Sequence, residues 1–167
     1  MRFWLTLVIG TITVSSVLSW LYLRMEAAPH PAIQMQSETG AVPCLEVVGH
    51  QFAGDPKTVA LQHEKSQMDV EYRQSIAVAN QGEGELMLTV ARRTCGCVKN
   101  VFLDDVPMPE GLPLFVPPKG QKQLHIVWKY ETNVTQSDRD RRFAVEFITN
   151  DPETPVFRVE ITTHVVR

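Results

Sequence analysis

Alternate positions decide the reading of most of this chain. In Val70, Tyr72, Gln74, Ile76 and Val78 every second residue is mostly apolar, while Glu71, Arg73 and Ser75 intervene. The same period returns in Leu86, Leu88 and Val90, in Leu124, Ile126, Trp128 and Tyr130, and in Phe143, Val145 and Phe147. It returns once more in Phe157, Val159, Ile161, Thr163 and Val165. A period of two gives each segment one apolar and one wet face, which predicts strands of antiparallel sheets packed face to face. Gly, Pro, Asn and Asp bound the segments, as in Asn80-Gln81-Gly82-Glu83-Gly84 and Thr149-Asn150-Asp151-Pro152. The prediction is an all-β fold: an immunoglobulin-like antiparallel β-sandwich of seven to eight strands. Pro107, Pro109, Pro113, Pro117 and Pro118 crowd one region, which predicts a long irregular crossing between sheets.

The N-terminus follows another pattern. Phe3 to Leu23 carry no charge, with Arg2 before and Arg24 after. As a helix this run spans roughly 30 Å, the thickness of a bilayer's hydrocarbon core. It exceeds the apolar core of a signal peptide, about 7–15 residues, and lacks a well-placed small-residue cleavage site. Trp20 and Tyr22 suit a membrane interface. After Arg24 no Lys or Arg occurs until Lys57. Positive charge therefore favours a cytoplasmic N-terminus and an extracytoplasmic body, a single-pass protein facing the periplasmic side. The predicted organisation is a transmembrane signal-anchor helix over 1–24, a flexible linker over 25–42, and one sandwich domain over 43–167.

Net charge is −3, with acids and bases interspersed. No basic stripe marks a nucleic-acid partner. Phosphate loops, nucleophile elbows and zinc-protease helices are missing from the sequence, so no enzyme activity and no cofactor are predicted.

Chemistry concentrates in three cysteines: Cys44, Cys95 and Cys97. In an oxidising compartment Cys95 and Cys97 bridge only if Gly96 turns the chain. Alternatively Cys44 reaches one of them and staples the first strand to the sandwich. A bridged pair two residues apart is a candidate redox site, and two unbridged thiolates suit a soft metal. His50, His63, His125 and His164 have no ligand spacing to the pair, so no metal site is assigned.

The order of Asn80-Gln81-Gly82, Thr94-Cys95-Gly96-Cys97, Pro117-Pro118-Lys119-Gly120 and Thr149-Asn150-Asp151-Pro152 resembles a bacterial exported family, domain of unknown function fifteen-seventy-three. That family is related to Hydin/ASH-type immunoglobulin-like domains. The resemblance covers roughly Val70 to Val166. It implies a sandwich, often membrane-tethered, with no established activity. Asn80, Gly82, Gly96, Gly120, Asn150, Asp151 and Pro152 then read as structural motif residues. The functional expectation is a non-catalytic binding or scaffold module that recruits an unidentified envelope protein. The alternative is a thiol-redox or soft-metal protein using Cys95-Gly96-Cys97. The stretch Glu131 to Asp140 is expected to lengthen a hairpin.

Overall fold

A computed structural model describes residues 40–131 and 139–166. The predicted anchor and nearly all of the predicted linker lie outside them. Among the described residues no helix is long and apolar enough to cross a membrane.

Ten strands form two five-stranded sheets. In the first, β1 (Leu45–Val47), β3 (Glu71–Asn80), β8 (Gln121–Lys129), β5 (Val98–Leu103) and β6 (Val106–Pro107) lie in the order β1-β3-β8-β5-β6. In the second, β2 (Lys57–Gln67), β10 (Val156–Val166), β9 (Arg139–Thr149), β4 (Leu86–Arg93) and β7 (Pro113–Val116) lie in the order β2-β10-β9-β4-β7. The alternation seen in the sequence is the alternation of burial. Ile76, Val78, Leu86, Leu88, Val90, Leu124, Ile126, Trp128, Phe143, Val145, Phe147, Phe157, Val159 and Ile161 form one core between the sheets. Trp128 is fully buried and packs on Phe143, Tyr72 and His63. Its Nε1–H donates to Ser66 Oγ, which in turn bonds Thr163 Oγ1, so these three buried polar groups are paired.

Four expectations are corrected. There are ten strands rather than seven to eight, because β1, β6 and β7 are short edge strands of 3, 2 and 4 residues. The proline-rich stretch does cross from the first sheet to the second, but it pairs on the way, as β6 and then β7. Prolines are accommodated there because an edge strand needs hydrogen bonds on one side only.

The sheets are also not wholly antiparallel. β2 runs parallel to β10. The chain arrives as β1 on the first sheet, crosses through residues 48–56, and then enters the second sheet from the same end as β10. Finally, β8 and β9 belong to different sheets, so Glu131 to Asp140 is an inter-sheet connection and not a hairpin. Residues 132–138 of it lie outside the described residues.

Candidate functional site

The predicted motif residues separate to opposite ends of the sandwich. β3 ends at Asn80 where β4 begins, β8 begins just after Gly120, and β9 ends at Thr149. Those three turns therefore share one end, and the incoming segment Ala41 to Leu45 lies across it. Asn80 is buried, and its side chain serves four backbone groups. Its Oδ1 accepts from Cys44 N–H (3.2 Å) and Gly82 N–H (3.0 Å); its Nδ2 donates to the carbonyls of Gly84 (2.7 Å) and Val116 (3.1 Å). Gly82 and Gly84 are required by contact. A Cβ on Gly82 would lie 2.2 Å from the Val42 carbonyl oxygen, and one on Gly84 2.3 Å from that of Ala41.

Asp151, likewise buried, accepts Leu45 N–H at 2.8 Å and Glu153 N–H at 2.9 Å. Asn150 extends the pairing of β9 with β4 through its side chain, accepting Met87 N–H and donating to the Glu85 carbonyl. Pro152 is exposed in the turn. Gly120 closes the Pro117 turn, donating to the Pro117 carbonyl and accepting Asn80 N–H. These side chains hold the lead-in chain to the body. Their chemistry is architectural: each acceptor or donor satisfies a backbone group that the turns leave unpaired.

Cys44 sits on this lead-in segment, exposed and unbonded. At the opposite end β4 turns into β5 through Thr94-Cys95-Gly96-Cys97. There Cys95 and Cys97 are joined by a disulfide with α-carbons 5.1 Å apart. Cys44, at the other end of the body, is thus partner to neither. Thr94 holds the turn: its N–H and Oγ1–H donate to the Ala144 carbonyl, and its Oγ1 accepts Ala144 N–H. Lys129 N–H donates to the Cys97 carbonyl. Cys97 is 8% exposed and belongs to the core; Cys95 is half-buried. Gly96 is exposed, with nothing within 4 Å of where its Cβ would lie. The turn itself therefore does not require glycine at this position. With the two sulfurs bonded to each other, neither is a metal-binding thiolate. Among the described residues no group of three or more His, Cys, Asp or Glu is gathered to hold a metal ion.

The histidines fall elsewhere. His63 stacks edge-on against Tyr72 and Trp128. His125 bonds Ser75 Oγ through Nδ1, and burial with the nearby Arg73 charge holds its pKa below the ordinary value. His164 pairs with Asp140 at the surface. On the outer face of the second sheet Glu146 binds Arg92 through two hydrogen bonds, and that contact draws its carboxyl pKa down.

One feature of the body has no counterpart in the residues picked from the sequence. β2, at 11 residues, is an edge strand. The other edges, β1, β6 and β7, are 2 to 4 residues long. Among the described residues β2 is covered at its two ends, where Thr58 N–H and C=O exchange hydrogen bonds with Ala53 and where Gln67 N–H donates to Tyr72 Oη. Backbone groups alternate sides along a strand, so those of Ala60 and Gln62 point out of the sheet in the same direction as those of Thr58. Below Gln62 a bulge opposite Thr163/His164 breaks the register. The sequence signal is present but faint: Val59 and Leu61 alternate with Thr58, Ala60 and Gln62, then Glu64 and Lys65 interrupt.

No family model matches the chain, and no curated protein matches it in sequence. Solved structures with a similar chain course include a protein of unknown function from Porphyromonas gingivalis W83 (TM-score 0.48, 16% identity), of which this chain spans about half, 46%, using 74% of its own length. They also include an ASH/PapD-like domain of human CEP192 (TM-score 0.46, 6% identity, 74% of this chain and 85% of that one). A third is a family 123 glycoside hydrolase from Clostridium perfringens (TM-score 0.48, 9% identity, 75% of this chain and 27% of that one).

Proposed function

We propose that this chain is a membrane-tethered, extracytoplasmic binding module of immunoglobulin-like type, non-catalytic, that recruits a protein of the cell envelope by strand addition. The observation that carries this reading is the edge of β2 at Ala60 and Gln62, which no described residue pairs. An extended peptide laid there gains main-chain hydrogen bonds, and its alternate side chains meet the two faces of the second sheet. The chain itself uses this edge at Thr58, where Ala53 makes the same pair of bonds that a partner strand would continue. Between Lys57 and His63 the edge carries no charge, so nothing repels an incoming strand there. In this reading residues 1–24 are the tether and 25–42 the spacer. The described end of that spacer, Ala41 and Val42, lies at the Asn80–Asp151 end of the body.

The test is site-specific photo-crosslinking in living cells, with the full chain carrying a photoreactive residue at Gln62, at Ala60 or, as a control, at Glu160 on the outer face of β10. Discrete adducts from the two edge positions, mapping to an extended segment of the partner, are expected. Gln62→Pro removes an outward N–H and abolishes them. Equal labelling from Glu160, or none from the edge, rules the reading out.

A further inference from the structure

We propose that the Cys95–Cys97 bond is an exchangeable disulfide that accepts two electrons from a dithiol on an exported polypeptide, leaving that polypeptide with a disulfide. This goes beyond the binding reading and does not depend on it.

Three observations carry the inference. The first is that the bond closes a loop with one residue between the cysteines. A disulfide stabilises chiefly by removing freedom from the unfolded chain, and a loop this short has little to remove. The turn is meanwhile held without it, by Thr94 on both backbone groups of Ala144, by Val98 N–H on the Cys95 carbonyl and by Lys129 N–H on that of Cys97. A structural staple is superfluous at this place.

The second is that the two sulfurs are unequal. Cys97 is buried in the core, whereas Cys95 is half-buried beside a bare, exposed Gly96. An incoming thiolate therefore reaches Cys95 Sγ and not Cys97 Sγ. The third is that Cys97 N–H donates to Cys95 Sγ at 3.0 Å. A hydrogen bond to sulfur favours its thiolate, so the reachable sulfur is also the one equipped to carry charge.

The exchange then runs in two steps. One thiolate of the partner attacks Cys95 Sγ. The Cys95–Cys97 bond breaks, its electron pair passes to Cys97 Sγ, and that sulfur takes up a proton. The partner's second thiol loses its proton and attacks the partner sulfur of the mixed disulfide. The bond to Cys95 breaks, and Cys95 leaves as a thiolate under the Cys97 N–H before it is reprotonated. Two thiols of the partner have become one disulfide, and the Cys95–Cys97 disulfide has become two thiols. Cys95 is the exchanging residue, Cys97 is the leaving group of the first step, and the partner's second thiol resolves the mixed disulfide.

The experiment uses the full chain in detergent micelles, in a Cys44→Ser background because Cys44 is exposed and free. The probe is a reduced synthetic peptide with two cysteines. Oxidised peptide should form one-for-one with the appearance of two maleimide-reactive thiols, with the β circular-dichroism spectrum unchanged. With Cys97→Ser the probe is a pre-formed peptide disulfide, which should trap a mixed disulfide on Cys95 at least tenfold more readily than Cys95→Ser traps one on Cys97. Gly96→Val, whose Cβ has nothing within 4 Å among the described residues, should slow the exchange several-fold at an unchanged melting temperature. That variant keeps the test open if a serine variant fails to fold. A bond that opens only with unfolding, equal trapping at the two cysteines, or exchange indifferent to Gly96→Val would overturn the proposal.

Discussion

At the end where the chain joins the sheets, the side chain of Asn80 makes four hydrogen bonds to backbone, and Gly82 has the Val42 carbonyl where a Cβ would be. At the other end Gly96 has no neighbour within reach of a Cβ, and the only covalent cross-link in the described residues closes a minimal loop. Both ends carry glycine between polar or sulfur-bearing residues, and from the sequence they look alike. The difference is what the backbone must be given. The lead-in segment Ala41 to Leu45 lies over a turn and would leave the N–H groups of Cys44 and Leu45 unpaired; Asn80 and Asp151 accept them. The Thr94–Cys97 turn satisfies its own groups through Thr94 and its neighbours on β8 and β9, so the cysteines are free for chemistry.

The largest expected effect comes from breaking the first end. Asn80→Ala removes the partners of four backbone groups at a site where Asn80 itself is 1% exposed. Each buried group left unpaired costs about 1–3 kcal/mol, partly relieved by water, so the variant should lose about 3 kcal/mol or more. Urea denaturation of the full chain measures it. A loss below about 1 kcal/mol would mean that the lead-in segment is not fastened as described.

This contrast also shows what could be read from residues alone. Strands β3, β4, β8, β9 and β10 were legible because each buries one face of a sheet at period two, and Phe143, Phe147 and Phe157 announce which face. β5 (Val98–Leu103) and β2 were not picked out. In β5 the alternation is broken by a bulge between Val98 and Asn100. In β2 only Val59 and Leu61 mark the inner face before the register shift. Asn80 and Asp151 were visible as turn residues, but their reach to Cys44 and Leu45 spans 36 and 106 residues of sequence. No local rule contains that distance. The pairing of Cys95 with Cys97, and the solitude of Cys44, depended likewise on which end of the body each occupies.

Next in size is a matched pair of glycine substitutions. Gly82→Ala forces a Cβ to within 2.2 Å of a carbonyl oxygen, so the Val42–Cys44 backbone has to move. Overpacking of this kind costs typically about 1–3 kcal/mol. Gly96→Ala meets nothing and should shift stability by no more than about 0.5 kcal/mol. Thermal melts of the two variants, run side by side, sharpen the comparison. Equal losses would erase it.

Removing the disulfide itself should cost less than losing Asn80. For a loop this short the chain-entropy estimate is about 1.5 kcal/mol, roughly half that of a 15-residue loop. The double variant Cys95→Ser/Cys97→Ser should therefore remain folded, with an unchanged β spectrum and a modestly lower midpoint in urea. Unfolding on removal would make the bond a staple after all and bring the two ends back to one design.

The smallest effect is expected at Tyr130, beside the disulfide end, and its sign is opposite. Its hydroxyl is buried and finds no hydrogen-bond partner among the described residues, while its ring packs on Phe143. Burial pushes its phenol pKa up from 10.0 to about 12, the nearby Arg141 opposing this. The folded protein thus holds the phenol proton more tightly than the unfolded chain does. Its contribution is full below pH 10, the ordinary value, and drains away as pH rises from 10 toward about 12. Tyr130→Phe keeps the ring and deletes the unpaired hydroxyl. At neutral pH it should leave stability unchanged or raise it by up to about 1 kcal/mol. Above pH 10 it should remove that share of the alkaline loss. Urea midpoints at neutral and alkaline pH, for the native chain and the variant, give both numbers. A variant that is weaker at neutral pH would show the hydroxyl to be bonded, and this end to be fastened by polar side chains in the way the Asn80 end is.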